Sequence, residues 1–205
     1  MSVCYLVGAG DFYGHIDLSD GDVIIAADGG YDNLASHGLI ANVLIGDFDS
    51  IKSTLPDGIK TIRHPKEKDE TDMFLAYSEG VKLGFTDFIM LGATGGRLDH
   101  TYANISLLLY AKEHGHSMTI VHDGGAILCI KDEAVTLSGR RGALLSVFAL
   151  GTEANGVSIK GAKYEADGVT LSPSFPLGVS NEFTDEKAVI SVQSGALLII
   201  YDSRL

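Results

Sequence analysis

Short apolar runs alternate with helical patterns through the first 122 residues, and this alternation restricts the possible folds more than any other feature of the sequence. The runs are predicted to be buried strands and lie at 3–7, 23–27, 43–45, 88–91 and 118–121. Runs of this length, separated by helices, are typical of strands in a largely buried sheet. The pattern therefore predicts an α/β domain.

Helices are predicted between these strands, at 31–37, 71–83 and 98–114. A glycine follows each helix, at the position where a left-handed C-cap is common. Apolar residues recur at helical spacing along the last helix, at Leu98, Tyr102, Ile105 and Leu109. Such a stripe is typical of a face packed in the core, so we expect it to make no ligand contact.

From Asp123 onward the pattern changes to short apolar runs separated by turn signals. The runs are predicted to be strands and lie at 126–130, 134–137, 143–148, 157–159, 169–171, 188–192 and 197–201. Strands spaced in this way predict an antiparallel β-sandwich. We therefore expect two domains, an α/β domain over residues 1–122 and a β-sandwich over residues 123–205.

The net charge of −12 argues against binding to nucleic acid or to anionic membranes, because no run of Lys or Arg offsets it. A phosphate-bearing ligand would have to meet the carboxylates through divalent cations. No apolar run approaches the length of a membrane span, and the first residues resemble neither a signal nor a transit peptide. We therefore expect a cytoplasmic protein, in which Cys4 and Cys129 are buried and take no part in chemistry.

Asp28, Gly29 and Gly30 follow the second predicted strand and open a helix. In open α/β sheets, ligands bind at the carboxyl ends of the strands, so this carboxylate and these glycines are candidate ligand contacts. The alternative is that Asp28 caps the helix through a tight turn. Another glycine run, Gly8-Ala9-Gly10, follows the first strand, and we interpret it as an isolated turn.

Two carboxylates, Asp47 and Asp49, follow the third predicted strand. In extended backbone they would project to the same side, where a cation between them would relieve their repulsion. Asp69 and Asp72 add carboxylates three residues apart at the start of the next helix. Together these residues favour a site for a divalent metal. The alternatives are a solvated acidic turn and, for Asp69 and Asp72, capping of the helix.

A glycine-rich turn, residues 92–96, joins the next strand to the long third helix. Turns of this kind expose backbone N–H groups at a helix N-terminus, where phosphates bind. Arg97 could pair with a phosphate, and Asp99 could hold a metal or a nucleobase edge, or each could form an ion pair within the protein. His100 is equally explained as a packed or solvated residue. Carboxylates beside such a turn suit a metal-bound di- or triphosphate.

The sequence contains, in this order, the segments ADGGYDNL, IGDFDS, KEKDETD and GATGGRLDH. In these segments it resembles the thiamine pyrophosphokinase family. The resemblance implies a Rossmann-like three-layer α/β domain, a C-terminal antiparallel β-sandwich, and a homodimer with active sites at the subunit junction. It also implies that the diphosphate of ATP is transferred to the hydroxyl of thiamine, which gives thiamine diphosphate and AMP.

By position, the resemblance assigns Asp47, Asp49 and Asp72 to a Mg²⁺ bound to the ATP phosphates. The expected contacts to nucleotide, diphosphate or thiamine are Asp28, Gly29, Gly30, Thr94, Gly95, Gly96, Arg97 and Asp99. The candidate catalytic residues are the three metal ligands and Asp99. Ser180 and Asn181 are expected to face the thiamine rings. Some family members place a tryptophan against thiamine, and this sequence contains no tryptophan.

Two other functions fit the same residues. An acidic sheet edge with Mg²⁺ could present water to a nucleotide, as in a metal-dependent phosphohydrolase. The same groups could also bind thiamine or nucleotide without turnover, as in a sensor. The ordered match of the four segments favours the transferase over both.

Overall fold

The fold is mixed α/β, with three helices and a large sheet in the part of the chain that the structure describes. This structure is a computed structural model, and it describes residues 2–55, 57–65, 67 and 69–203. Within those residues, none of the helices combines the length and the apolar character that crossing a membrane requires. Lys66 and Lys68, the first and third residues of the KEKDETD segment, lie outside the described residues.

Parallel strands form the first of two compact units, which extends to residue 107 and includes 115–123. The strands are β1 (Cys4–Val7), β2 (Val23–Ala27), β3 (Val43–Gly46), β4 (Lys60–Arg63), β5 (Asp87–Leu91) and β6 (Ser117–His122). They lie in the order β4-β3-β2-β1-β5-β6. All four residues of β1 are buried, because a strand with parallel neighbours on both sides and helices over the sheet has no face in water.

The sequence predicts these strands with the exception of β4. Its residues Lys-Thr-Ile-Arg are largely exposed, and only Ile62 is partly buried. β4 pairs with β3 alone, at the edge of the sheet, where one side faces solvent. An edge strand of this kind lacks the apolar run by which the other strands are recognised.

The three helices are α1 (Gly30–Ser36), α2 (Asp72–Lys82) and α3 (Leu98–Glu113). The glycines that follow them have positive φ angles of 69°, 92° and 78°, which confirms the predicted left-handed caps. Thr71 is the N-cap of α2, since its hydroxyl accepts a hydrogen bond from the Phe74 N–H at 3.1 Å.

The predicted core stripe of α3 is wrong at its amino-terminal end. Leu98 is 80% exposed and Tyr102 is 71% exposed, whereas Leu107, Leu108 and Ala111 are buried. The two sets of apolar residues lie on different faces of the helix. Spacing alone therefore identified an apolar face of α3 but not the face that packs.

Antiparallel strands form the second unit, which comprises residues 108–114 and the chain from 124 onward. The strands are β7 (Gly125–Lys131), β8 (Ala134–Ser138), β9 (Leu144–Lys160), β10 (Ala166–Leu171), β11 (Asn181–Glu182), β12 (Lys187–Ser191) and β13 (Ser194–Tyr201). β9 pairs with β10, β11, β12 and β13. The predicted strands at 143–148 and 157–159 are thus parts of one strand, which passes Gly151 and Gly156 with positive φ.

Both cysteines are buried, as the sequence predicts. Cys4 lies in β1 and Cys129 lies in β7. Burial raises the pKa of the Cys4 thiol to about 12 and likewise raises that of Cys129 to about 12. Neither thiol forms an appreciable amount of the reactive thiolate at neutral pH.

Candidate active site

A cavity of about 410 Å³ lies at the carboxyl ends of β1, β2 and β5, in the first unit. Much of its wall is glycine, namely Gly8, Gly10, Gly92, Gly95 and Gly96. The polar side chains that reach it are Asp28, Ser50, Asp72, Arg97, His100 and Asn104. Of the sequence-predicted site residues, the cavity therefore collects Asp28, Asp72, Gly95, Gly96 and Arg97.

Three carboxylates of this unit form a cluster that we call the acidic group, consisting of Asp28, Asp47 and Asp49. One carboxylate oxygen from each residue lies within 4.8 Å of one from each of the others. Asp28 and Asp47 are half-buried and Asp49 is exposed. Hard divalent cations prefer carboxylate oxygens, so the donor set fits Mg²⁺.

Asp28 is fixed by contacts on both carboxylate oxygens. The Phe48 N–H donates to Oδ1 at 3.1 Å, and the Ser50 hydroxyl donates to Oδ2. The backbone of Asp28 has a φ of 46°, which is uncommon for a residue other than glycine. The side chain does not cap α1, whose N-cap is Gly29 with no side-chain hydrogen bond. The capping alternative is therefore wrong, and the carboxylate instead joins the end of β2 to the segment that follows β3.

Asp47 and Asp49 come together through a turn rather than through extended backbone. Phe48 between them has a φ of 68°, and the Asp49 N–H donates to the Asp47 carboxylate at 3.0 Å. The Phe48 ring packs against the core of the first unit, and the Arg63 guanidinium lies 4.9 Å from the ring centroid. The predicted proximity of the two carboxylates is present, but the alternation of an extended strand does not produce it.

Asp32, in the first turn of α1, binds the backbone of the residues that follow Asp49 in the chain. Its carboxylate accepts the Ser53 N–H at 2.8 Å and the Lys52 N–H at 3.0 Å. Burial alone would raise the pKa of Asp32, but the hydrogen bonds from Ser53 and Lys52 outweigh it and lower that pKa. The beginning of α1 thereby fixes the segment that carries Asp47 and Asp49.

The turn at residues 8–11, which the sequence led us to interpret as isolated, is paired along its length with residues 91–94. The Gly8 N–H donates to the Leu91 carbonyl at 2.9 Å, and the Gly10 N–H donates to the Gly92 carbonyl at 2.8 Å. Gly8, Ala9 and Gly10 all line the cavity. The isolated-turn interpretation is wrong, because β1 and β5 are neighbours and their following turns continue side by side. The available signal was a Gly-Ala-Gly run directly after a buried strand.

Arg97 and Asp99 bind each other at the start of α3. The Arg97 Nε donates to Oδ1 of Asp99 at 3.1 Å, and Nη2 donates to Oδ2 at 2.5 Å. The hydrogen bonds from Arg97 lower the pKa of Asp99. The sequence left open whether these two residues contact a ligand or form an ion pair within the protein, and the structure contains the ion pair. Both side chains are largely exposed, so a ligand phosphate can still approach Arg97.

Asn104, one turn and a half along α3, was not identified from the sequence. The residue is 7% exposed, and Nδ2 donates to the Ala93 carbonyl at 2.8 Å. It also lines the cavity, together with His100. A single polar residue in a helix that carries several others has no distinctive sequence pattern, so only the structure reveals this contact.

The remaining predicted residues of the first unit lie around the same cavity or beside the acidic group. Asp72 begins α2 and lines the cavity, but it is not part of the acidic group. Gly29 packs near Ser50, since a Cβ there would lie 3.1 Å from the hydroxyl oxygen. Gly30 packs against the end of β1. At the neighbouring turn, the Thr94 carbonyl accepts the Asp11 N–H at 2.8 Å. Asp69 is exposed.

Ser180 and Asn181 belong to the second unit. Ser180 has a φ of 57°, and its N–H donates to the Ser146 hydroxyl at 3.1 Å. Asn181 is 5% exposed, and its amide accepts the Tyr164 N–H at 2.9 Å and donates to the Tyr164 carbonyl at 2.8 Å. The amide of Asn181 thus fixes the backbone of Tyr164, whose own side chain is 64% exposed.

Carboxylates beside a glycine-lined cavity at the edge of a parallel sheet are typical of proteins that act on metal-bound phosphate compounds. Comparison with known families narrows this class. The family described as "Thiamin pyrophosphokinase, catalytic domain" matches residues 17–121, and that described as "Thiamin pyrophosphokinase, vitamin B1 binding domain" matches residues 129–197. The chain belongs to the thiamin pyrophosphokinase family. Members of this family are thiamine diphosphokinases, enzymes that transfer diphosphate from ATP to thiamine.

Individual relatives agree with this assignment. Thiamine pyrophosphokinase of Bacillus subtilis (strain 168) is 24% identical over 182 residues, which cover 86% of this chain and 85% of the relative. Thiamin pyrophosphokinase 1 of Caenorhabditis elegans is 22% identical over 171 residues, covering 78% and 69% respectively.

Solved structures share the fold. A crystal structure of thiamine pyrophosphokinase from Bacillus subtilis has a TM-score of 0.87 at 21% identity, and all of both chains is covered. That of thiamin pyrophosphokinase from Geobacillus thermodenitrificans has a TM-score of 0.84 at 25% identity, with 98% of this chain and 97% of the other covered.

Proposed function

We propose that this chain carries out the family's reaction at the cavity of its first unit. The observation that supports this proposal is the acidic group beside a glycine-lined cavity of about 410 Å³, a volume within the range of small-molecule sites. The thiamine hydroxyl oxygen attacks the β-phosphorus of ATP and its proton passes to water. The bond between that phosphorus and the oxygen that bridges to the α-phosphate breaks, and AMP leaves with that oxygen. The protein aligns the two substrates and forms no covalent bond to them.

The proposed metal ligands are Asp47 and Asp49 together with Asp28, whose oxygens are close enough to share one Mg²⁺. The family resemblance assigned this third position to Asp72, which lines the cavity and which we propose to lie near the phosphates. Bound Mg²⁺ supplies charge neutralisation to the phosphates. The Ser50 hydroxyl and the Phe48 N–H keep the Asp28 carboxylate oriented toward its two neighbours.

The proposed phosphate contacts are the turn from Thr94 to Arg97 and the two adjacent glycines, Gly29 and Gly30. Gly95 and Gly96 both have positive φ and line the cavity, close to the N-terminus of the long helix α3. Backbone N–H groups and the helix dipole favour an anion there. Asp99 would act by orienting Arg97, whose guanidinium it already binds, toward a phosphate.

For the thiamine side we propose the second unit, a β-sandwich that follows a Rossmann-like three-layer α/β domain. Its core consists of apolar residues such as Leu145, Val147 and Ile190. Ser180 remains the predicted contact to thiamine. Asn181 remains one as well, although its amide is engaged with Tyr164.

We also propose a homodimer. Large apolar side chains are exposed in both units, and such side chains favour association with a second copy. They include Leu98 and Tyr102 in the first unit, and Phe175, Leu177 and Val179 in the second. Sedimentation of the full chain tests the dimer. A cytoplasmic location remains a prediction from the sequence.

The central experiment is incubation of the full chain with ATP, Mg²⁺ and thiamine, followed by identification of the nucleotide product. We expect AMP in a one-to-one ratio with thiamine diphosphate, because the diphosphate moves as a unit. ADP as the product would contradict diphosphate transfer. Nucleotide cleavage that does not depend on thiamine would favour the phosphohydrolase, and binding without turnover would favour the sensor.

A further inference from the structure

Asn33, in the middle of α1, makes two side-chain contacts to the turn that follows β1. Its Nδ2 donates to the Gly8 carbonyl at 2.7 Å and to the Gly10 carbonyl at 2.9 Å. An amide nitrogen carries two hydrogens, so both are used. Asn33 is half-buried and is not among the residues that line the cavity. Any effect that it has on a ligand must therefore pass through the turn.

The turn that Asn33 holds is packed backbone to backbone against the turn after β5. We call these two segments, residues 8–11 and 92–96, the glycine turns. A Cβ at Gly10 would lie 2.2 Å from the Thr94 carbonyl oxygen, and one at Gly92 would lie 2.2 Å from the Gly8 carbonyl oxygen. A Cβ at Gly92 would also lie 3.0 Å from the Asn33 amide nitrogen. Asn33 thus touches the place where the glycine turns meet.

A contact that orders glycine-rich backbone before a ligand arrives favours binding. Glycine has more conformational freedom than any other residue, so a glycine turn left to itself loses entropy when a ligand orders it. Carbonyls that lose a partner inside the protein also cost free energy. An amide that binds two carbonyls of the same turn removes both costs before the ligand arrives, which is preorganisation.

We infer that Asn33 is a positioning residue for the nucleotide phosphates. It fixes the glycine turns in the conformation that receives the phosphates and does not touch the nucleotide itself. The inference deepens the proposed function and rests on it, because it takes the cavity as the Mg²⁺–ATP site. It adds a residue of the ADGGYDNL segment to which the sequence assigned no role.

The test compares Asn33→Leu with Asn42→Leu. Asn42 is a matched control, since its side chain also binds backbone: Oδ1 accepts the Ile24 N–H at 2.8 Å, at the other end of β2. Titration calorimetry measures the affinity of each full-length protein for the Mg²⁺ complex of α,β-methylene ATP, whose reactive linkage cannot be cleaved. We expect at least about a fivefold weaker affinity for Asn33→Leu and an unchanged affinity for Asn42→Leu.

Steady-state kinetics add a second readout. In Asn33→Leu we expect KM for ATP to rise in parallel with the dissociation constant, while KM for thiamine changes less than about twofold. A structural role alone would lower the melting temperature of both variants and leave both nucleotide affinities unchanged, and that result would overturn the inference. If Asn33→Leu does not fold, Asn33→Ser, which is too short to reach both carbonyls, replaces it with the same expectation.

The outcome separates this inference from the proposed function. If the wild-type chain binds the analogue and forms AMP but Asn33→Leu binds equally well, the inference fails and the proposed function stands. If the wild-type chain binds the analogue but transfers no diphosphate, the reaction is wrong, and Asn33 is still judged by the calorimetry. If the wild-type chain neither binds the analogue nor forms AMP, both fail. If it forms AMP without binding the analogue, the proposed function stands and Asn33 is judged by KM for ATP.

Discussion

The acidic group and the glycine turns lie in the same unit, but different forces keep them in place. Asp28 is held by hydrogen bonds to its carboxylate, and the neighbouring segment is held by the carboxylate of Asp32. The glycine turns are held by bonds between backbones, with the amide of Asn33 as a side-chain contact. A substitution in the acidic group should therefore affect charge and chemistry, whereas a substitution in a glycine turn should affect packing first.

The largest effect is expected from Asp49→Asn. This change keeps the size of the side chain and removes one charge from the acidic group, so we expect kcat/KM to fall by at least about a hundredfold. The melting temperature should stay near that of the wild type, because the change also relieves repulsion from Asp47. Asp20→Asn, which removes the same charge from an exposed loop, is the control for kinetics and unfolding. A large loss of stability in Asp49→Asn alone would mean that the acidic group is structural.

Gly10→Ala tests whether packing holds the glycine turns in place. The new Cβ would lie 2.2 Å from the Thr94 carbonyl oxygen, so the glycine turns must separate. We expect a loss of about 3 kcal/mol in the free energy of unfolding, measured by urea denaturation.

Gly38→Ala is the control for Gly10→Ala. Its φ is 69° and nothing lies within 4 Å of the added Cβ, so the change introduces backbone strain without a clash and should cost about 1 kcal/mol. Equal losses in the two variants would show that the close approach of the glycine turns is not maintained in solution.

Asp32→Asn should change the pH dependence of stability. The folded-state pKa of Asp32 is lowered, so the ionised carboxylate stabilises the fold. This contribution is fully present above the ordinary pKa of an Asp. It is lost as the pH falls from there through the lowered value. The variant should therefore lose less stability than the wild type as the pH falls below about 5, most of all below the ordinary Asp value of about 4. Urea denaturation at a series of pH values measures the free energy of unfolding of both proteins. Identical pH profiles would mean that the bonds to Lys52 and Ser53 do not form in solution.

The smallest effect on unfolding is expected from Arg97→Leu, directly after the second glycine turn. Loss of the guanidinium should raise the pKa of Asp99 toward its ordinary value, which carboxyl-carbon NMR can follow. Both side chains are exposed, so unfolding should be almost unchanged. If Asp99 titrates alike in the two proteins, the ion pair does not persist in solution and Arg97 is already free for phosphate.

The same contrast explains how far the sequence could predict the molecule. The buried strands and the carboxylates after them follow local patterns, so most strands, the three helices and the residues Asp28, Asp47 and Asp49 were found. The pairing of residues 8–11 with residues 91–94 depends on β1 lying beside β5, a contact between distant parts of the chain. Spacing also could not decide which apolar face of α3 packs, because both faces carry apolar residues. A prediction from local pattern therefore identifies the three carboxylates of the acidic group one by one, with Asp72 in place of Asp28 as the third metal ligand, and misses the turns and amides that complete the cavity.

The two buried thiols have a practical consequence. The sequence contains only Cys4 and Cys129, and burial raises the pKa of each thiol to about 12, so maleimides and other thiol reagents will react with them slowly. A cysteine introduced at an exposed position away from the proposed contacts, such as Ser138→Cys at the end of β8, would then be labelled selectively without removal of the native ones. Fluorescent or spin labels attached in this way can report distances within the working enzyme while substrates bind.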